Sequence, residues 1–479
     1  MFFSQTGDFM NKRNRIKKII SALLLMLIIS SLVTLNVSAT SDFEITDGIL
    51  TSYKGKSKNV TIPDDVYYIA DSAFAGNTSV QSVALSNVTA IGNYAFSNCT
   101  ALKTVTGYDG LVSCGGYAFF GTPFLNNRTE QDLVMGSVLV DTNAKDNYTV
   151  PSSVTSIAPY ACVNNEAITS LTIGDNVLSV GEGAFWNCTG LKTVSVSGNV
   201  SYIGGYAFVG TKYLDSLKDE FVILGNGILV DANTTTADVV IPSTVKQIGA
   251  AAFESCKTLK SVVINTKVTA IGKRAFYNCT ALQTADIPDS IVSIEDEAFY
   301  NCTALKSVLI PETVKFLGES VFLGCSVLKT AQVNINIPLS AGLFADCPKL
   351  EYVYISSNPV AVENYAFYGC SKLKGITLPD SVAFIADNAF SGCSKLSVWC
   401  NSDSYSADAL KKQGVTVCQT GDANEDGKVN VRDATQIQKA VAGLVTLEFS
   451  ANMKADADFN GEINVRDATR VQKNLAGLD

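Results

Sequence analysis

The stretch Ile271-Gly272-Lys273-Arg274-Ala275-Phe276-Tyr277-Asn278-Cys279-Thr280-Ala281-Leu282 decides the fold. It sets an apolar residue five positions before a Phe, a small residue just before it, a Cys three after and a Leu six after. The small-residue–Phe marker recurs at Phe74, Phe96, Phe119, Phe185, Phe208, Phe253, Phe276, Phe299, Phe322, Phe344, Phe367 and Phe390, with a degenerate copy at Ala161-Cys162. Neighbouring copies lie 22 or 23 residues apart, except for two intervals of 43 and 45. Between markers runs an alternating stretch such as Leu305-Lys306-Ser307-Val308-Leu309-Ile310, then a Pro and a segment such as Val314-Lys315-Phe316-Leu317. Period-two alternation bounded by Pro and Gly predicts short strands. One unit has too little apolar surface to fold alone, whereas a stack buries a continuous column. Thirteen coils at the ~4.8 Å spacing of parallel strands make a rod of that many rungs, roughly 60 Å long.

Both long intervals carry one kind of insertion, near 122–150 and 211–240. Gly136-Ser137 and Asn226-Gly227 stand where a hairpin would turn. Residues 43–51, with Asp47-Gly48, are a third version placed to cap the first coil. An uncapped end would leave strand edges unpaired. Residues 404–413 predict a helix closing the other end, within a cap and linker at 401–419.

Composition narrows the chemistry. The 479 residues contain no histidine, which excludes His-based nucleophile pairs and His-ligated metals. The formal charge of −9 argues against a nucleic-acid partner. Residues 1–39 combine Lys12, Arg13, Arg15, Lys17 and Lys18, an apolar run over 19–35 and Val37-Ser38-Ala39, the pattern of a secretory signal peptide cleaved after Ala39. A membrane anchor is the alternative, interrupted by Ser21, Ser30, Ser31 and Thr34. The rest of the chain has no second long apolar run, so an exported protein that leaves the membrane after cleavage is expected. Nine of the 13 cysteines share one repeat slot, and Cys114 and Cys162 replace other core positions. Burial as small apolar residues explains all eleven. Cys400 and Cys418 flank the closing helix, and a disulfide between them stays open. Asn98, Asn187, Asn278 and Asn301 begin Asn-Cys-Thr sequons whose middle residue is the buried repeat cysteine, which argues against glycosylation. Tyr352 and Tyr354 are expected to face outward on the sheet, as strand tyrosines or as a ligand-binding pair.

The repeat over roughly 43–400 resembles the BspA-like leucine-rich repeats of secreted bacterial proteins. That resemblance implies a curved right-handed solenoid, mostly β, with a parallel sheet on one face and a role in adhesion or binding. The solenoid is assigned to 40–400.

After Cys418 a different duplication begins. Asp422-Ala423-Asn424-Glu425-Asp426-Gly427-Lys428-Val429-Asn430-Val431-Arg432-Asp433 is repeated 34 residues later as Asp456-Ala457-Asp458-Phe459-Asn460-Gly461-Glu462-Ile463-Asn464-Val465-Arg466-Asp467. Oxygen-bearing side chains stand at loop positions 1, 3, 5, 9 and 12: Asp422, Asn424, Asp426, Asn430 and Asp433, then Asp456, Asp458, Asn460, Asn464 and Asp467. Position 7, Lys428 or Glu462, offers its backbone carbonyl, and Gly at position 6 allows the sharp turn. This donor set suits calcium, one ion per loop. Position 12 is Asp rather than the Glu of an EF-hand, and a helix is predicted only after each loop, over 431–442 and 465–475.

The tandem loop–helix pattern of 420–479 resembles a dockerin. The resemblance implies calcium-dependent binding to a cohesin module on a scaffold protein, as in a cellulosome. The contact residues it implies are Val431, Arg432 and Lys439, or Val465, Arg466 and Lys473. The near-identical halves imply two docking orientations. Together these features predict a secreted, non-catalytic binding protein on a scaffold or cell surface, whose solenoid meets a plant cell-wall glycan or an extracellular protein. The rivals are a polysaccharide-degrading enzyme, for which no carboxylate pair is visible, and a protein that binds or inhibits neighbouring enzymes.

Overall fold

A computed structural model of the chain describes residues 42–217, 219–232, 236–401, 404–418, 420–458 and 462–478. The signal-peptide expectation for 1–39 and the position of Asn460 lie outside them. Among the described residues no helix is long and apolar enough to cross a membrane.

The repeat folds as a mostly β solenoid of about 16 turns. Each turn contributes to two ribbons of parallel strands rather than to one sheet. In one ribbon Ser307–Ile310 pairs with Thr330–Val333, and so on through Tyr352–Ile355, Gly375–Thr377, Ser397–Trp399 and Thr416–Cys418. In the other, two-residue strands follow one another at 247–248, 270–271, 293–294 and 316–317. Between the ribbons the marker residues form a ladder. Phe253, Phe276, Phe299, Phe322, Phe344 and Phe367 are fully buried, their rings stacked 5.0–5.7 Å apart.

Three hairpins add turns to the thirteen that the markers count, lengthening the rod to roughly 75 Å at ~4.8 Å per rung. Phe43–Thr46 pairs with Ile49–Tyr53, Asp132–Met135 with Val138–Thr142, and Phe221–Leu224 with Ile228–Ala232, all antiparallel. The second strand of each joins the stack, as Val138 and Leu139 do beside Ser156 and Ile157. Tyr53, Thr142 and Ala232 then stand where other turns place Phe: their N–H groups donate to Ala73, Ala161 and Ala252, as Phe74 donates to Ala95. Two single-turn helices, α1 (Pro123–Asn126) and α2 (Lys212–Ser216), lead into the inner hairpins and are N-capped by the buried Thr122 and Thr211.

The Asn-Cys-Thr motif now has a conformational cause. Asn98, Asn187, Asn278 and Asn301 all have φ between +56° and +59°. Asn and Gly accept this left-handed region best, and other turns place Gly76, Gly121, Gly210 and Gly324 there. Asn301 also donates from Nδ2 to Asn278 Oδ1 in the turn before.

At the C-terminal end α3 (Tyr405–Lys412), capped by the Ser404 hydroxyl, closes the core through Ala407 and Leu410. Strand 416–418 then adds a last rung. That rung bears on the disulfide left open above, because it places Cys400 and Cys418 on opposite faces. Trp399 and Cys418 are register partners and pack in one cluster outside the solenoid core. Cys400, next in line after Trp399, faces the opposite way into the core. Both cysteines are free thiols.

Candidate metal centre and its contact with the solenoid

Three helices follow the last rung: α4 (Val431–Val441), α5 (Phe449–Ala455) and α6 (Val465–Ala476). Ala434 and Ile437 of α4 bury against Ala468 and Val471 of α6, with Ala451 and Ala455 of α5 in the same small core. The two predicted loops precede α4 and α6; α5 was not anticipated.

Both loops run into their helices through a capping box. Asn430 is the N-cap of α4 and Asp433 its third residue, and Asn464 and Asp467 repeat the arrangement at α6. The Asp433 carboxylate accepts from Asn424 N at 3.1 Å and Asn430 N at 2.8 Å. Asp467 accepts from Ala457 N and Asn464 N, both at 2.9 Å. Asp at position 12 thus ties the loop closed and starts the helix with one carboxylate. In the first loop Asp422 Oδ1 and Oδ2 accept from Asp426 N and Gly427 N at 3.1 and 3.2 Å. Asn430 Nδ2 donates to the position-7 carbonyl of Lys428 at 3.4 Å, and Asn464 Nδ2 to that of Glu462 at 3.3 Å.

In the second loop Asp456, Asp458 and Asp467 bring carboxylate oxygens within 4.8 Å of one another. Burial, with the Asp456 and Asp458 charges beside it, pushes Asp467 up to about 6, against the pull of the Asn464 N–H. Three carboxylates this close repel one another in a partly buried site, and a hard divalent cation removes that repulsion. The donor set therefore fits calcium: the candidate ligands among the described residues all offer oxygen, and each position-7 carbonyl accepts from Asn430 or Asn464 Nδ2. In the first loop Asp422 is raised by burial, partly offset by the Lys454 ammonium.

The residues expected to meet a partner stand in the open. Val431 and Val465 are 67% and 62% exposed, and Arg432, Arg466, Lys439 and Lys473 are exposed as well. Two more exposed residues escaped the sequence reading. Leu444 and Leu478, 74% and 70% exposed, end matching Ala-Gly-Leu triplets at 442–444 and 476–478. The 34-residue offset already contained that signal.

Tyr352 and Tyr354 are not an open ligand surface. They leave the sheet outward as expected, but α5 covers them: Tyr354 is buried and Tyr352 half-buried. Tyr354, Trp399 and Met453 form one cluster, with Phe449, Tyr352 and Cys418 at its margin. The Tyr354 hydroxyl donates to Asp456 Oδ2 at 2.5 Å. Burial and the Asp456 charge push that hydroxyl well up, so it stays protonated. Elsewhere on the solenoid, Tyr94, Tyr117, Tyr160 and Trp186 form an outer aromatic row, with successive rings 5.7, 4.6 and 6.3 Å apart. Tyr117 stacks on both neighbours, whereas Tyr94 stacks on one and Trp186 lies tilted to Tyr160, and these two end residues are exposed.

Comparison with known families gives two matches. The profile of the BspA type leucine rich repeat region matches residues 45–133, 141–221, 232–339 and 338–407. That of the dockerin type I domain matches 420–476. Among solved structures, a leucine-rich repeat protein from Bacteroides ovatus is 23% identical over 78% of this chain and 87% of its own, with a TM-score of 0.32. The pneumococcal vaccine antigen PcpA is 17% identical over 78% and 91%, with a TM-score of 0.34. A leucine-rich repeat protein from Eubacterium ventriosum is 22% identical over 72% and 91%, with a TM-score of 0.31. No curated protein matches the chain.

Proposed function

From a chain that belongs to the BspA-type leucine-rich repeat proteins and carries a C-terminal dockerin type I domain, we propose a secreted, non-catalytic component of a cellulosome-type assembly. Its dockerin binds two calcium ions, one held by Asp422, Asn424, Asp426, Lys428 O, Asn430 and Asp433 and the other by the matching residues from Asp456 to Asp467. Calcium fixes the loops that start α4 and α6. The helix starts then present Val431-Arg432 and Val465-Arg466 to a cohesin, with Lys439, Lys473, Leu444 and Leu478 extending each face. The duplicated exposed residues carry this reading: an apolar Val beside an Arg, with a Leu at the far end of the helix, occurs twice at one offset and is open in both copies.

The solenoid adheres to a partner outside the cell. The exposed Tyr94 and Trp186 at the ends of the outer aromatic row offer such a partner, a glycan or a protein, apolar ring surface.

Cohesin modules of the source organism, immobilised and washed with the full-length mature chain, should retain it in calcium and release it in chelator. Equal retention in both conditions, or none in either, overturns the attachment.

A further inference from the structure

The dockerin is seated on the solenoid, not suspended from it. Met453 of α5 is fully buried between Tyr354 and Trp399. Trp399 lies across Gly375 of the neighbouring strand, where a Cβ would stand 1.8 Å from the indole. That glycine leaves the indole room to lie under α5. Lys454 extends the contact to the first loop, with Nζ 5.3 Å from the Trp399 ring centroid, 3.1 Å from Glu425 and 3.8 Å from Asp422. At the second loop the contact is the hydrogen bond from Tyr354 to Asp456, 102 residues apart in sequence.

We propose that the last rungs of the solenoid are part of the second calcium site: Tyr354 positions Asp456, so that calcium binding by this loop and seating of the dockerin on the sheet strengthen one another. The inference rests on the calcium reading above. A carboxylate has two oxygens and several lone pairs, so Asp456 can accept from a hydroxyl and still offer an oxygen to an ion. Groups that hold a ligand in orientation raise metal affinity, commonly by 10–100-fold. The coupling must be reciprocal, because both processes share one free-energy cycle. It also makes the loops unequal despite their near-identical sequences. Position 1 of the second loop faces a hydroxyl from the solenoid. Position 1 of the first faces the Lys454 ammonium, whose charge opposes an incoming cation.

Calorimetric titration of the full-length mature chain with calcium tests the proposal. The wild type should show two sites. Tyr354→Phe keeps the ring against Met453 and removes only the hydroxyl; one site should weaken by roughly tenfold while the other is unchanged. Met453→Lys breaks the seating from the dockerin side and should weaken the same site. Calcium should also slow amide exchange at 352–355 in the wild type and not in Tyr354→Phe. Equal weakening of both sites in Tyr354→Phe overturns the selective link between Tyr354 and the second loop. Two unaltered affinities in both variants overturn the coupling and leave the calcium reading intact. A wild type that binds no calcium overturns the calcium reading itself, and the coupling with it.

Discussion

The repeat cysteine does more than fill space. Cys279, Cys302 and Cys325 donate their thiols to the carbonyls of Phe253, Phe276 and Phe299 in the preceding turn, at 3.0, 3.2 and 3.4 Å. The slot therefore wants a small apolar group with a donor, which Ala lacks. Cys302→Ala should destabilise the solenoid by about 1–2 kcal/mol through lost packing and a lost hydrogen bond, read as a lower denaturation midpoint. Burial also raises the thiols: Cys99 and Cys188 are pushed up to about 11. The thiolate is the reactive form, so it appears only as pH rises toward that value. Peptide mapping after iodoacetamide at pH 8 should find both residues unmodified in the native protein and alkylated in denaturant. Their packing role was legible because it recurs at fixed spacing. The faces of Cys400 and Cys418 were not, since they depend on strand 416–418, which carries no repeat marker.

Among the elements, the helix starts are where loop chemistry and helix chemistry share atoms. Asp433 closes the first loop and caps α4 with one carboxylate. Asp433→Ala should therefore loosen α4 even in chelator, by about 1 kcal/mol, seen as faster amide exchange over 431–441. A side chain serving only the ion would show that effect in calcium alone. Both loops and their following helices could be read in advance, because oxygen donors, glycine and helix start occupy consecutive positions. The hairpin turns were harder. Thr142 and Ala232 replace the Phe that marks a turn, so local spacing shows an interruption where the backbone continues the stack. Helix α5 was hidden for a related reason. Its short run, Phe449-Ser450-Ala451-Asn452-Met453, buries residues on two sides, so no single apolar stripe announces it.

For the whole molecule, the docked orientation matters most. α5 faces the solenoid, while the helix starts of α4 and α6 both stay open. On the proposed function, cohesin would approach either face with the dockerin seated. Replacing Val431 and Arg432 by Asp and Ala should leave calcium-dependent capture nearly unchanged, and the same change at Val465 and Arg466 likewise. All four together should abolish it, as measured by surface plasmon resonance. The seating itself lay beyond sequence reading. An outward strand tyrosine such as Tyr354 has the same local pattern whether water or a second domain covers it.

The last rung also has a mechanical side. Strand 416–418 ends the sheet, and the hydrogen bonds between rungs run along the rod. A pull on the dockerin, delivered through the chain alone, would peel this rung first and then the next. Met453 instead grips Trp399, one rung further in, and Tyr354, three rungs in. A pull on the dockerin would then be shared with the strands at 397–399 and 352–355 and not fall on the last rung alone.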